Sequence, residues 1–173
     1  MNSNFVTAAI AAAPSAAPAI SQSDASLALA AAARLLLADL ERGQAIDAQA
    51  LRTAMIAAFN GSDAEGAWTW KTAYDACEAA QILFLRKFGP AMRGRTASPS
   101  AFLAMLAKVA ALLPSHTRRS EESQALQQFS TPVGFGFVAS VAAAIMPTDL
   151  VLEPSAGTGL LAIHAELLGA AWS

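Results

Sequence analysis

Between residues 24 and 113, apolar residues recur at helical spacing in four segments, each bounded by residues that begin or end helices. Asp24, Asp47 and Ser98 stand at positions typical of N-caps, where a side-chain oxygen accepts a hydrogen bond from a free backbone N–H. Pro99 fits the first helical turn, which needs no N–H from that residue. This pattern predicts a four-helix, all-α unit.

In the first two helices, the spacing also predicts the buried face. The first is expected from Asp24 to a stop at Gly43, and the second from Asp47 to a stop at Gly61. The residues predicted to face the core are Leu27, Ala31, Leu35 and Ala38 in the first helix and Leu51, Met55 and Phe59 in the second.

The third helix is predicted to begin at Ser62 or Asp63 and to break at Gly89 and Pro90. The fourth follows Ser98 and is expected to reach Pro114. The predicted apolar stripe of the third helix is Trp70, Tyr74, Cys77, Gln81, Phe84 and Phe88. Helical spacing of aromatic residues favours a core over a surface on which bases would stack.

Composition limits the classes of function. The 173 residues are 55% hydrophobic and 14% charged with a net charge of -2, so no basic excess indicates a nucleic-acid surface. Cys77 is the only cysteine, which excludes an intramolecular disulfide and a cysteine metal cluster. His116 and His164 lack zinc-ligand spacing and are interpreted as surface or core residues. We expect no metal and a reducing, cytoplasmic setting.

Two apolar stretches are not predicted to enter a membrane. Residues 1–23 lack a basic segment before Arg34 and are interrupted by Pro14 and Pro18, so they are interpreted as a flexible Ala/Pro-rich lead rather than a signal peptide. Residues 133–147 are shorter than the ~20 residues needed to span a bilayer. They are interpreted as a buried helix.

The second half of the chain has a different organisation. Residues 114–127 are predicted to be a connector containing one short helix from Ser120. A helix over about Val133–Ile145, a strand at LVLE, a glycine turn and a final helix are expected over residues 128–168. Four basic residues near the end of the third helix either contact phosphates or form a solvated helix end; they are Arg86, Lys87, Arg93 and Arg95.

The glycine turn lies in VLEPSAGTGLLA, residues 151–162. Leu160 and Leu161 stand where a P-loop requires lysine and a hydroxyl residue, so this loop is not predicted to bind ATP. The segment GTGLLA matches the GxGxxG/A spacing of a dinucleotide turn. A glycine turn without any ligand is the alternative.

Glu153 favours a different cofactor. Its carboxylate can pair with an ammonium group but would repel a pyrophosphate. Gly157 and Gly159 would let the backbone approach a bulky ligand, and the following helix would offer free N–H groups. These features suit S-adenosylmethionine, which carries an ammonium and a carboxylate and has no phosphate.

VLEPSAGTG resembles motif I of class I S-adenosylmethionine-dependent methyltransferases, in the form typical of DNA adenine-N6 enzymes. QQFSTP, residues 127–132, resembles the motif that precedes it in the γ-type arrangement. WKTAYDACEAAQILFLRKFGPAM and HTRRSEESQALQQFSTP are similar to the N-terminal part of bacterial strawberry notch-like proteins. In those proteins, a methyltransferase-like domain precedes a helicase-like NTP hydrolase.

The resemblance implies a set of cofactor-binding residues. Glu153, Ser155, Gly157 and Gly159 would line the methionine part of S-adenosylmethionine, and Phe129, Thr131 and Pro132 would close over it. Thr131 and Pro132 also fit a plain helix start. DNA and a downstream helicase-like NTP hydrolase domain are the implied partners of the full-length protein.

Other parts of the family pattern are missing. The Asn/Asp-Pro-Pro-aromatic motif that accepts hydrogen bonds from a flipped-out adenine does not occur, so no catalytic residue is assigned. LVLE is expected to be an unpaired strand, and residues 170–173 are interpreted as a junction or frame end. We therefore expect a mainly α chain: a helical unit, then the first strand-turn-helix of a truncated Rossmann-like methyltransferase domain over residues 128–173.

Three functions remain open on these grounds. The first is the cofactor-binding N-terminal portion of a longer DNA methyltransferase, without methyl transfer by these 173 residues alone. The second is a non-catalytic, degenerate methyltransferase scaffold for a helicase-like NTP hydrolase. The third is a dinucleotide-binding oxidoreductase.

Overall fold

The computed structural model describes residues 21–114 and 131–173. This part of the chain is mainly α-helical, as predicted. Its elements in chain order are α1 (Gln22–Glu41), α2 (Ala48–Phe59), α3 (Trp70–Gly94), α4 (Pro99–Ala110), α5 (Val133–Ala142), β1 (Leu150–Val151), α6 (Ile163–Leu167) and β2 (Ala171–Trp172). The predicted short helix from Ser120 lies outside the described residues.

Side-chain caps fix the starts of the first four helices. Asp47 accepts hydrogen bonds from two backbone N–H groups in the first turn of α2, and Ser98 accepts one before Pro99 in α4, which confirms both predicted caps. Helix α1 begins earlier than predicted, because Ser21 is its N-cap and Asp24 lies within the first turn.

The predicted buried face of α1 is wrong. Leu27 is 70% exposed and Leu35 48% exposed. The residues that are buried are instead Ala32, Ala33, Leu36 and Leu40. One residue corresponds to about 100° of rotation, and α1 carries apolar residues on most sides, so spacing alone did not select the correct face. In α2, the predicted core residues Leu51, Met55 and Phe59 are confirmed.

The predicted bounds of α3 are also wrong. It begins at Trp70, capped by Thr69, because Ser62 and Glu65 form their own hydrogen-bonded turn. At its other end, α3 continues through Gly89 and Pro90. A Cβ at Gly89 would lie 2.8 Å from Leu167 Cδ2, so the glycine allows α6 to pack closely against the helix.

The described core consists of two hydrophobic clusters that share α3. The first combines α1 and α2 with the first half of α3, and includes Leu36, Met55 and Tyr74. The second combines the remainder of α3 with α4, α5 and α6, and includes Leu85 and Phe102. Of the stripe predicted on α3, Tyr74, Cys77 and Gln81 are buried and Trp70, Phe84 and Phe88 are half-buried. Helix α3 therefore connects both halves of the core.

Strand β1 is paired, which corrects the prediction of a lone strand. It runs parallel to β2, with Leu150 opposite Ala171 and Val151 opposite Trp172. Strand β2 lies within residues 170–173, the segment interpreted as a junction or frame end. Helix α5 begins at the predicted Val133 but ends at Ala142, before the predicted Ile145.

Among residues 21–114 and 131–173, no helix combines the length and apolar character needed to cross a membrane.

Candidate functional site: the glycine loop after β1

The predicted cofactor loop, residues 152–162, follows β1 directly, and we call it the glycine loop. The backbone N–H of Glu153 donates to Ser173 O at 3.1 Å, which continues the pairing of β1 with β2. The side-chain Oε1 of Glu153 accepts a hydrogen bond from Ser155 N at 3.0 Å. Glu153 and Ser155 are therefore held together at the carboxyl end of β1, with the Glu153 side chain half-buried.

The two glycines of the loop have positive φ angles, +54° at Gly157 and +91° at Gly159. Both require glycine for conformational reasons, but their surroundings differ. A Cβ at Gly157 would have only Ser155 O within 4 Å, so this position borders open space. Gly159 is buried, and a Cβ there would lie 3.8 Å from Ile82 Cδ1 and 3.9 Å from Trp172 Cη2. Only Gly157 leaves room for a ligand.

The expected helix N-terminus is not placed directly after the glycines. Helix α6 starts at Ile163 and contains five residues. The N–H of Gly159 donates to Ala156 O, and the N–H of Ile163 donates to Gly159 O. Two of the N–H groups that were expected to face a ligand, those of Gly159 and Ile163, are therefore used in hydrogen bonds within the chain.

Glu78 in α3 contacts the glycine loop and was missed by sequence reasoning. It is 4% exposed, and its Oε2 accepts a hydrogen bond from Thr158 Oγ1 at 2.7 Å across a sequence separation of 80 residues. A charged residue inside the apolar stretch ACEAAQIL was the available indication, since buried carboxylates need partners. Burial, and secondarily the charge of Glu78, raises the pKa of the neighbouring Cys77 thiol to about 12.

An ion pair holds α6 against α3. Arg86 Nε and Nη2 each lie 2.9 Å from an oxygen of Glu166 in a bidentate arrangement. Hydrogen bonding to Arg86 lowers the pKa of Glu166, although partial burial opposes the shift. In the predicted basic cluster, Lys87 also has an internal partner, Glu41. The guanidinium of Arg93 lies 5.9 Å from the ring centre of Phe102. Three of the four cations are thus engaged within the chain.

Thr131 and Pro132 are exposed and precede α5, whereas Phe129 lies outside the described residues. The carbonyl of Pro132 accepts hydrogen bonds from two N–H groups of the first turn, so the predicted helix start is confirmed. Hydrogen bonds among the described residues connect neither Thr131 nor Pro132 to Glu153. Val133 O lies 2.9 Å from His164 Nε2, which joins the start of α5 to α6.

His164 is a core residue, which is one of the two positions, surface or core, that the sequence left open for it. It is 1% exposed, and Gly136 leaves room for its ring, since a Cβ there would lie 3.1 Å from His164 Cδ2. Burial lowers the pKa of His164, the hydrogen bond to Val133 O opposes this, and the charge of Arg93 lowers the pKa further. The ring is therefore neutral in the folded protein near pH 7.

This environment predicts a pH-dependent stability. The pKa of His164 is about 6.5 in the unfolded chain and lower in the folded state. Between those two values the unfolded state binds more protons, so the free energy of unfolding falls as the pH falls below 6.5. Urea unfolding between pH 7.5 and 5 should show this decline. In His164→Asn the free energy of unfolding should fall less over the same range, because the asparagine side chain does not titrate.

The control is Lys108→Ala, an exposed substitution that leaves His164 in place. It is expected to keep the wild-type pH profile. An unchanged profile in His164→Asn would contradict the assignment of the decline to this ring.

Two surface cavities lie elsewhere, between α4 and α5. One of about 420 Å³ is lined in part by Arg93, Ser98 and Ser140, and a second of about 340 Å³ by Leu103 and Val138. Neither lining includes a residue of the glycine loop. The residues that the structure describes also contain no group of three or more potential ligands that could hold a metal ion.

Comparison with known proteins identifies no relative: no protein-family model, curated protein or solved structure matches this chain.

Proposed function

We propose that this chain is the S-adenosylmethionine-binding N-terminal portion of a DNA methyltransferase of the adenine-N6 type. The observation that carries the proposal is the position of Glu153. Its carboxylate is held at the carboxyl end of a parallel strand, immediately before a loop that is open at Gly157. In open α/β sheets, ligands bind outside the carboxyl ends of the strands, which is where this carboxylate lies.

The surroundings of Glu153 fit S-adenosylmethionine in two respects. The Glu153 carboxylate can accept hydrogen bonds from the ammonium of the methionine part, and Gly157 leaves space in the same loop. The same negative charge would repel a pyrophosphate, which argues against a dinucleotide. When bound, the cofactor would supply a transferable methyl group, and the role of these residues is to hold and orient it.

A Rossmann-like fold is part of the proposal. Strand β1, the glycine loop, α6 and β2 have the order of a strand, turn, helix and parallel strand. Leu150 is 76% exposed and Leu152 74% exposed. Strands of parallel sheets are normally apolar and covered on both faces, so these exposed side chains support further elements that pack on this face in the full-length protein. DNA and a helicase-like NTP hydrolase domain are its proposed partners, in the cytoplasm.

The second candidate is a non-catalytic methyltransferase scaffold for the helicase-like domain. It requires the same cofactor loop but no Asn/Asp-Pro-Pro-aromatic motif. The reading frame beyond Ser173 discriminates the two, because only a catalytic protein requires that motif. A dinucleotide oxidoreductase is the least favoured, given the charge of Glu153.

Calorimetric titration of the chain with S-adenosylmethionine and, separately, with NAD tests the proposal. We expect binding of S-adenosylmethionine and weaker or no binding of NAD. Glu153→Gln should weaken S-adenosylmethionine binding roughly 10- to 100-fold, because a hydrogen bond to a charged group contributes about 1.5–3 kcal/mol.

Glu41→Gln is the matched control, since it removes a carboxylate from an exposed ion pair with Lys87, far along the chain from the loop. It should bind S-adenosylmethionine as the wild type does. Undiminished affinity in Glu153→Gln, or retention of NAD in preference to S-adenosylmethionine, would overturn the assignment of this pocket.

A further inference from the structure

We propose that Glu78 is a positioning residue that holds the glycine loop in its ligand-binding conformation through Thr158. The inference rests on the proposed function for its ligand, and on the described contacts for its mechanism. Glu78 belongs to the helical part of the chain and Thr158 to the loop, and the 2.7 Å hydrogen bond joins them directly. Helix α3 thus contacts the glycine loop directly.

Thr158 is the residue between the two glycines. Both neighbours adopt positive φ angles, and glycine has the largest backbone freedom to lose when a loop becomes ordered. A single side-chain contact at Thr158 therefore restrains a segment of the loop whose two glycines have the greatest backbone freedom to lose. The hydroxyl donates to a carboxylate, and hydrogen bonds to such charged acceptors are stronger than those between neutral groups.

The position of Ile82 in α3 supports the same conclusion. Ile82 lies one turn after Glu78, on the same side of α3, and its Cδ1 would lie 3.8 Å from a Cβ at Gly159. Glu78 contacts Thr158, and Ile82 lies beside the following loop residue, Gly159.

The hydrogen bond between Thr158 and Glu78 does not involve Glu153, the residue proposed to bind the ligand. Thr158 directs its hydroxyl to Glu78, while the carboxylate of Glu153 is engaged by the N–H of Ser155. A loop already held in one conformation loses less entropy when it binds, so its affinity is higher than that of a loop that must be ordered first. Glu78 would act on affinity through the loop, without contact with the cofactor.

The test compares Thr158→Val, which keeps the shape of the side chain and removes the hydroxyl, with Thr158→Ser, which keeps the hydroxyl. Both are measured in the full chain by hydrogen exchange of peptides covering residues 153–162 and by titration with S-adenosylmethionine. We expect faster exchange in Thr158→Val and a loss of affinity on the order of tenfold. Thr158→Ser should restore both properties nearly to wild type.

Glu78→Gln provides a second route to the same result, because its amide oxygen can still accept the hydrogen bond. It should lose less affinity than Glu78→Leu. Adding Thr158→Val to Glu78→Leu should cause little further loss, since the contact is already absent.

The two proposals fail separately. If the wild type does not bind S-adenosylmethionine, the proposed function fails, and the exchange rates still decide whether Glu78 holds the loop. If Thr158→Val leaves loop exchange unchanged, the positioning role is overturned, whether or not affinity changes. Equal affinity in Thr158→Val and wild type would overturn it as well.

Discussion

Leu36→Ala is expected to lower the free energy of unfolding by about 2–5 kcal/mol, the range for removing a fully buried leucine side chain. Leu36 is 0% exposed and lies in the first hydrophobic cluster. Its neighbour Leu35 is 48% exposed, so Leu35→Ala should cost about 1 kcal/mol or less. Urea unfolding followed by circular dichroism measures both.

The pair is closely matched, because both substitutions replace leucine by alanine in the middle of α1 and change helix propensity equally. The comparison also separates the observed face of α1 from the one that spacing predicts. A larger loss in Leu35→Ala than in Leu36→Ala would contradict the packing described for α1.

Phe102→Ala is expected to cost about 3–5 kcal/mol. Phe102 is 2% exposed, packs edge-on against Phe137 with ring centres 4.9 Å apart, and lies beneath the Arg93 guanidinium. Because α3 belongs to both clusters, loss of packing in the second should lower the stability of the first as well. We expect one transition, shifted to lower urea.

Phe102→Ala is best measured in a protein that also carries Trp172→Phe. The remaining fluorescence then comes from Trp68, which belongs to the first cluster, and Trp70, which packs against it. Fluorescence and circular dichroism should give the same midpoint. Lys108→Ala, an exposed substitution in the same helix as Phe102, is the control and should change stability by about 0.5 kcal/mol or less. A fluorescence midpoint unaffected by Phe102→Ala would show that the clusters unfold independently.

Local chemistry made several elements predictable. Asp47 and Ser98 cap helices through bonds to residues two or three positions away, so their roles are readable from the sequence. The failures concern long-range packing. Gly89 lies inside α3, where its missing Cβ leaves room for Leu167 of α6, and no local pattern contains that contact.

In the candidate site, too, the local features could be predicted and the long-range contacts could not. Glu153 and Gly157 lie close together in sequence, and their motif spacing indicated a loop after a strand. Glu78, 80 residues before Thr158, could be assigned to the loop only from the structure. Strand β2 was missed because its two residues are too few to show the alternation or apolar run that identifies strands.

The environment of Cys77 has a practical consequence for labelling. Its thiol is buried and its pKa is about 12, so almost none of the reactive thiolate is present at neutral pH in the folded protein. The native cysteine can therefore remain in place while a dye is attached through a new cysteine on the surface. The rate at which Cys77 itself is alkylated would then report how often the first hydrophobic cluster opens.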